Sequence, residues 1–166
     1  MARPAQAGPC FYNRVLNQMK LAEILSGGRV ASGVAATSKK RALEEIAKLL
    51  AQGAPSVSHV DILNSLASRE KLGSTGLGHG VAIPHGRMAG ISTSVGAFVR
   101  LKHPVDYETH DGQPVDLVFG LLVPQNATAE HLQHLAAIAE KFSDDAFCAQ
   151  VRESRDDAAL HGLLTR

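Results

Sequence analysis

The sequence predicts an α/β domain of the α+β kind, with helices packed around a mixed sheet. Two capped helical patterns come first, three strand-like segments fill the middle and three helical patterns close the chain. One middle segment, Leu117–Val123, is apolar without interruption, as a central strand covered on both faces requires. Hydrophobic residues make up 45% and charged residues 20% of the 166, which is globular composition. The formal net charge of +1 gives no general attraction to nucleic acid or to a membrane surface. Aromatic residues are only 4% and Trp is absent, which assigns the core mainly to aliphatic side chains.

Residues 1–18 are rich in Ala, Pro and Gly and show no sustained period, so they read as an irregular extension. The domain proper is expected over 19–166, with Met19 opening "MKLAEIL". Neither a signal-peptide h-region nor a run of about 18 apolar residues is present, which predicts a cytoplasmic protein without membrane insertion. Cys10 and Cys148 show no paired-ligand spacing. Ser38 caps a helix over "KKRALEEIAKLLAQ", whose Leu43, Ile46, Ala47 and Leu50 follow helical spacing before Gly53 stops it. Its opening Lys39-Lys40-Arg41 reads as a solvated face. Ser58 and Asp61 open a second helix with an apolar stripe of Val60, Leu63 and Ala67.

"GVAIPH" reads as a short strand, and "SVGAFVRL" alternates as a second with Val95, Ala97, Val99 and Leu101 on one face. "VDLVFGLLVP" is the third, after a "HDGQ" turn. A helix over "NATAEHLQHLAAIAEKF" rests on Leu132, Leu135, Ala136, Ala139 and Phe142. Ser143 or Asp144 caps "DAFCAQVRE", and a Ser154–Asp157 box opens the last helix.

The chemistry concentrates in "STGLGHGVAIPHGR", residues 74–87, with its four glycines, two histidines and an arginine. It lacks the Gly-Lys-Ser/Thr ending of a phosphate-binding P-loop and precedes a strand rather than following one. His79 and His85 are six apart, and His131 and His134 are three apart, but no Cys or carboxylate joins them in a metal-ligand pattern. No metal and no cofactor is therefore expected. A nucleophilic histidine fits better. Neutral imidazole is a good nucleophile near pH 7, and a phosphoryl group placed on it needs nearby N–H groups, hydroxyls and a cation. Gly76, Gly78 and Gly80 let the backbone approach an anion, Ser74 and Thr75 supply hydroxyls, and Arg69 supplies charge. Pro84 fixes the chain before His85, and Gly86 keeps its far side clear.

These residues resemble a known family. "SREKLGSTGLGHGVAIPHGR" is similar to the active-site segment of bacterial phosphotransferase-system enzyme IIA proteins of the fructose/mannitol type, the nitrogen-regulatory branch above all. "SKKRALEEIA", "GQPVDLVFGLLVP" and "EHLQHLAAIAE" extend the likeness over roughly residues 21 to 164. The resemblance implies a mixed five-stranded sheet flanked by helices. It implies that His85 is phosphorylated on its tele nitrogen, that Arg69, Ser74 and Thr75 line the pocket, and that His131 neighbours the phosphoryl group without accepting it. His134 reads as a helix-surface residue. The partners implied are a phosphorylated histidine carrier protein of the nitrogen type and regulated targets such as transporters or sensor kinases. Sugar-specific members instead pass phosphate to a separate permease component, and a binding-only module is a third reading. The family commonly has Asn where this chain has His79, which makes His79 a candidate electrostatic modulator of the site.

Overall fold

The computed structural model describes residues 21–127 and 129–166, with the backbone alone at 130–132. The expected boundary at residue 18 and Cys10 lie outside the described residues. The elements run β1 (Val30–Val34), α1 (Lys39–Gln52), α2 (His59–Lys71), β2 (Gly76–Gly78), β3 (Val81–Ala82) and β4 (His85–Met88). They continue with β5 (Val95–Val105), β6 (Val115–Pro124), α3 (Ala129–Phe142), α4 (Asp145–Glu153) and α5 (Asp157–Leu164). A 3-10 turn, Gly27–Arg29, leads into β1.

The sheet is mixed, as predicted, and among the described residues it holds six strands rather than five. Its order is β1-β5-β6-β3-β2, with β4 also on β6. β6 is the central strand, antiparallel to β5 and parallel to β3 and β4. The strand expected over "GVAIPH" is split into β3 and β4, lying end to end along β6, because Pro84 has no N–H to give the ladder. β1, "VASGV", escapes sequence reading because two small residues and a glycine replace the β-branched alternation of a strand. β2, "GLG", is only three residues long.

Two apolar layers cover the sheet. On one face α1 and α2 bury Leu43, Ile46, Leu50, Ile62 and Leu66 against Ala97, Val99, Val118 and Leu122. On the other, α3, α4 and α5 bury Ile138, Phe142, Val151 and Leu160 against Phe98, Leu117, Phe119 and Leu121. The capping residues Ser38 and Ser58 accept from Arg41 N and Asp61 N, as expected.

Other expectations change. The buried face of α2 is Ile62, Leu66 and Glu70, with Val60 52% exposed, because the face turned toward the sheet is offset from the Val60–Leu63–Ala67 stripe. Ala136 of α3 is exposed while His134 is buried, so His134 is not a surface residue. Asp144 caps α4, and Asp156 rather than Ser154 caps α5. Asp157 instead accepts from Ser32 N and Oγ, at 2.8 and 2.6 Å, and ties α5 to β1. Lys39 does not belong to a solvated face: its Nζ is 2.9 Å from Glu70 Oε2.

Aromatics are few but gathered. Four of the five phenylalanines, Phe98, Phe119, Phe142 and Phe147, form one cluster with ring centroids 5.4–6.3 Å apart. Phe142 touches the other three and is 2% exposed, so it joins α3 to the sheet and to α4. Truncation there removes contacts on three sides at once. Phe142→Ala is expected to cost about 3–5 kcal/mol of folding free energy in chemical denaturation. A loss below about 1 kcal/mol would mean that the cluster does not join these layers.

Candidate functional site

His85 opens β4 and is half-buried. Its Nδ1 lies 2.8 Å from the carbonyl oxygen of Ile83. A carbonyl oxygen can only accept, so Nδ1 carries a proton, and in the neutral ring the free lone pair is the one on Nε2. The backbone making this contact is held on both sides. Ile83 N donates to Thr75 O at 3.0 Å, and Leu121 N donates to Pro84 O at 3.0 Å. His85 is level with Leu121, whose side chain faces the α3 layer, and Gly86 is level with Leu122, which faces α1 and α2. The imidazole therefore stands on the α3 side of the sheet.

Gly86 has a more specific reason than an open far side. A Cβ there would come within 2.3 Å of Ser65 Oγ on α2. The same hydroxyl donates to Arg87 O at 2.9 Å, so α2 sits directly on β4 beside His85.

Arg69 is in the last turn of α2, and its Nη1 donates to Gly73 O at 3.0 Å. Gly76 pairs with Ala82, and Thr75 O with Ile83 N. The arginine is thus tied to the segment that leads from α2 into β2. Ser74 lies on that segment, and its Oγ accepts from Gly76 N at 3.2 Å, which closes the loop on itself.

Thr75 departs from the expectation that it lines a pocket. It is buried, its N donates to Glu70 Oε2 at 3.3 Å, and its hydroxyl is bonded to Glu70 Oε1. Both of its donors point into the protein because Glu70 lies beneath the loop. Tyr107 Oη also donates to Glu70 Oε1, at 3.0 Å. Burial, and next the Glu70 charge, hold the Tyr107 hydroxyl far above the usual phenol range, so it remains a donor.

His131 is the third residue of α3, hence in the first turn, where the positive helix end favours an anion. Its side chain and the preceding Thr128 lie outside the described residues. Sequence reading missed Glu70, hidden inside the Arg-Glu-Lys run, and Arg87. The strand alternation that sets His85 also puts Arg87 on its face, exposed, with Nη1 3.4 Å from Gln125 O before α3. Among the described residues, no group of three or more His, Cys, Asp or Glu side chains is placed to hold a metal ion. Nor is any helix there long and apolar enough to cross a membrane.

Residues 23–166 match the family model described as "Phosphoenolpyruvate-dependent sugar phosphotransferase system, EIIA 2". The chain belongs to this EIIA family. It is 49% identical to the nitrogen regulatory protein of Pseudomonas aeruginosa over 146 residues, which cover 88% of this chain and 95% of that one. The crystal structure of the nitrogen regulatory protein IIA-Ntr from Neisseria meningitidis superposes with a TM-score of 0.82 at 44% identity, covering 87% of this chain and 99% of that chain. The IIA mannitol protein of Escherichia coli shares the fold, with a TM-score of 0.70 at 21% identity over 84% of this chain and 98% of that chain.

Within this EIIA domain, His79 does not stand where a modulator of His85 is needed. It sits in the β2–β3 turn, next to Gly80, whose carbonyl takes Asp116 N and Leu117 N, whereas His85 is level with Leu121. At about 3.3 Å per residue the two are roughly 15 Å apart, beyond a Debye length at physiological salt. What the structure shows at His79 is backbone work. Its φ is +55°, in the left-handed region that Asn and His tolerate better than most residues. Its N donates to Asp111 Oδ2 at 3.1 Å, and its carbonyl accepts from Arg152 Nη2 at 2.7 Å. Hydrogen bonds from Thr109 and then Gln113, with a smaller one from His79 N, keep the Asp111 carboxyl below its usual range. His79→Asn is therefore expected to leave both thermal stability and the pH profile of any phosphorylation unchanged. A pH profile that differs between the two proteins would restore His79 as a modulator.

Proposed function

We infer that the protein is a nitrogen-type regulatory phosphocarrier in which His85 accepts a phosphoryl group from the phosphohistidine of a carrier protein. The observation that supports this most is the Nδ1 contact with Ile83 O, which leaves Nε2 as a nucleophile of defined direction. In the proposed step the Nε2 lone pair bonds to phosphorus as the donor's P–N bond breaks and its electron pair returns to the donor ring. Both rings keep the proton on their other nitrogen, so no net proton moves. Such transfer runs through a loose transition state governed by positioning and electrostatics. Arg69, held at the end of α2 through Gly73 O, offsets the charge of the arriving group. His131, in the first turn of α3, neighbours that group without accepting it.

The regulatory reading draws support from identities of 49% and 44% to nitrogen-branch proteins, against 21% to the mannitol protein. Phosphorylation adds about 1.5 to 2 negative charges at pH 7 to a half-buried position, enough to make or remove a docking surface for a target protein.

With a phosphorylated carrier as donor, the wild-type protein is expected to take up one acid-labile, base-stable phosphoryl group, and His85→Ala none. Arg69→Ala and His131→Ala are expected to remain phosphorylatable but slower, by roughly ten- to a hundredfold for a lost charge-assisted contact of about 1.5–3 kcal/mol. Stoichiometric uptake by His85→Ala, or unchanged rates in both other variants, would contradict the assignment.

A further inference from the structure

We propose that Glu70 is a positioning residue for His85, acting through a chain of hydrogen bonds that passes under the glycine-rich loop. This rests on the reading of His85 as nucleophile. Glu70 closes the buried face of α2, and its side chain is 5% exposed. Its carboxylate gathers four donors. Oε1 takes the Thr75 hydroxyl and, at 3.0 Å, the Tyr107 hydroxyl. Oε2 takes Thr75 N at 3.3 Å and pairs with Lys39 Nζ at 2.9 Å. Lys39 is in turn held over the Tyr107 ring, 4.6 Å from its centroid. A buried carboxylate is tolerated only where its lone pairs are satisfied in this way.

Helix α1, helix α2 and the segment after β5 thus converge on one carboxylate, and what that carboxylate grips is Thr75. Thr75 passes the constraint on, since its carbonyl takes Ile83 N at 3.0 Å. Ile83 passes it to the nucleophile, since its carbonyl takes His85 Nδ1 at 2.8 Å. Two residues therefore stand between the carboxylate and the imidazole. Each is held by its own backbone groups, so a shift of Thr75 moves the acceptor that selects the ring tautomer. A neutral imidazole free of that acceptor divides its proton between Nδ1 and Nε2, and the Nε2–H form has no lone pair to offer.

Glu70 is also adjacent in sequence to Arg69, and Gly73 N donates to Glu70 O at 3.1 Å. The residue that anchors the loop from below therefore anchors the start of the segment that Arg69 holds from above.

The test is nitrogen-15 NMR of the His85 ring in the unphosphorylated full-length protein, alongside the rate of phosphoryl uptake from a phosphorylated carrier. Wild-type His85 is expected to show a dominant Nδ1–H tautomer. Glu70→Gln keeps the volume but replaces one acceptor oxygen with a donor, and it is expected to populate the Nε2–H tautomer and slow uptake by about ten- to a hundredfold, the loss that small misplacements bring. Thr75→Val removes the hydroxyl link while leaving the charged Glu70–Lys39 pair intact, and it should shift the tautomer the same way by a smaller amount. It carries the test if Glu70→Gln fails to fold. A folded Glu70→Gln or Thr75→Val with wild-type ring shifts and wild-type uptake would overturn the proposal. If the wild-type protein takes up no phosphate, the phosphocarrier reading fails, while the ring shifts still decide whether Glu70 positions His85.

Discussion

The arrangement depends on a contact spanning two residues of chain, the hydrogen bond from His85 Nδ1 to Ile83 O. It turns a symmetric base into a directional one without adding a charge. It works only if the Ile83 carbonyl is immobile, and most of the surrounding fold keeps it so. Pro84 cannot bond as a ladder donor, yet its carbonyl takes Leu121 N from the central strand, and Thr75 holds Ile83 from the other side. The break between β3 and β4 is thus where the strand is clamped between β6 and the glycine-rich loop.

The sheet and helices supply rigidity from behind. β6 is buried almost throughout, and β4 inherits its position from it in parallel register. Helix α2 contributes twice: Ser65 closes on Gly86 beside His85, and one turn later Arg69 donates to Gly73 O at the helix end. Spacing of four residues along a helix puts both on one face, so a single packed helix supports β4 and directs Arg69 together. The remaining polar groups beneath the loop converge on Glu70, which costs little because each of its oxygens is satisfied.

Much of this was legible in the sequence. The Ser38 and Ser58 caps and the apolar run of β6 each follow from local physical rules. What was not legible depended on tertiary context. Strands β1 and β2 are too short and too rich in small residues to show a period. The stripe chosen for α2 was a plausible helical face, but the sheet meets the helix at Ile62, Leu66 and Glu70, and no pattern based on apolar residues selects a face that ends in a carboxylate. Thr75 looked like a ligand for an anion because its hydroxyl sits in a glycine-rich loop; that the hydroxyl turns inward depends on Glu70, five residues earlier, being buried. His79 looked close to His85 when six residues were counted along the chain, and the parallel register with β6 shows that those six residues run in a nearly straight line away from it.

The central claim is that the Ile83 carbonyl commits His85 to react through Nε2. Phosphorus-31 and nitrogen-15 NMR of the phosphorylated protein tests it directly, because the two ring isomers of phosphohistidine have distinct signatures. The account predicts a single phosphohistidine at residue 85 with phosphorus on Nε2 and the proton retained on Nδ1. Phosphorus on Nδ1 of His85, or on any other residue, would contradict it.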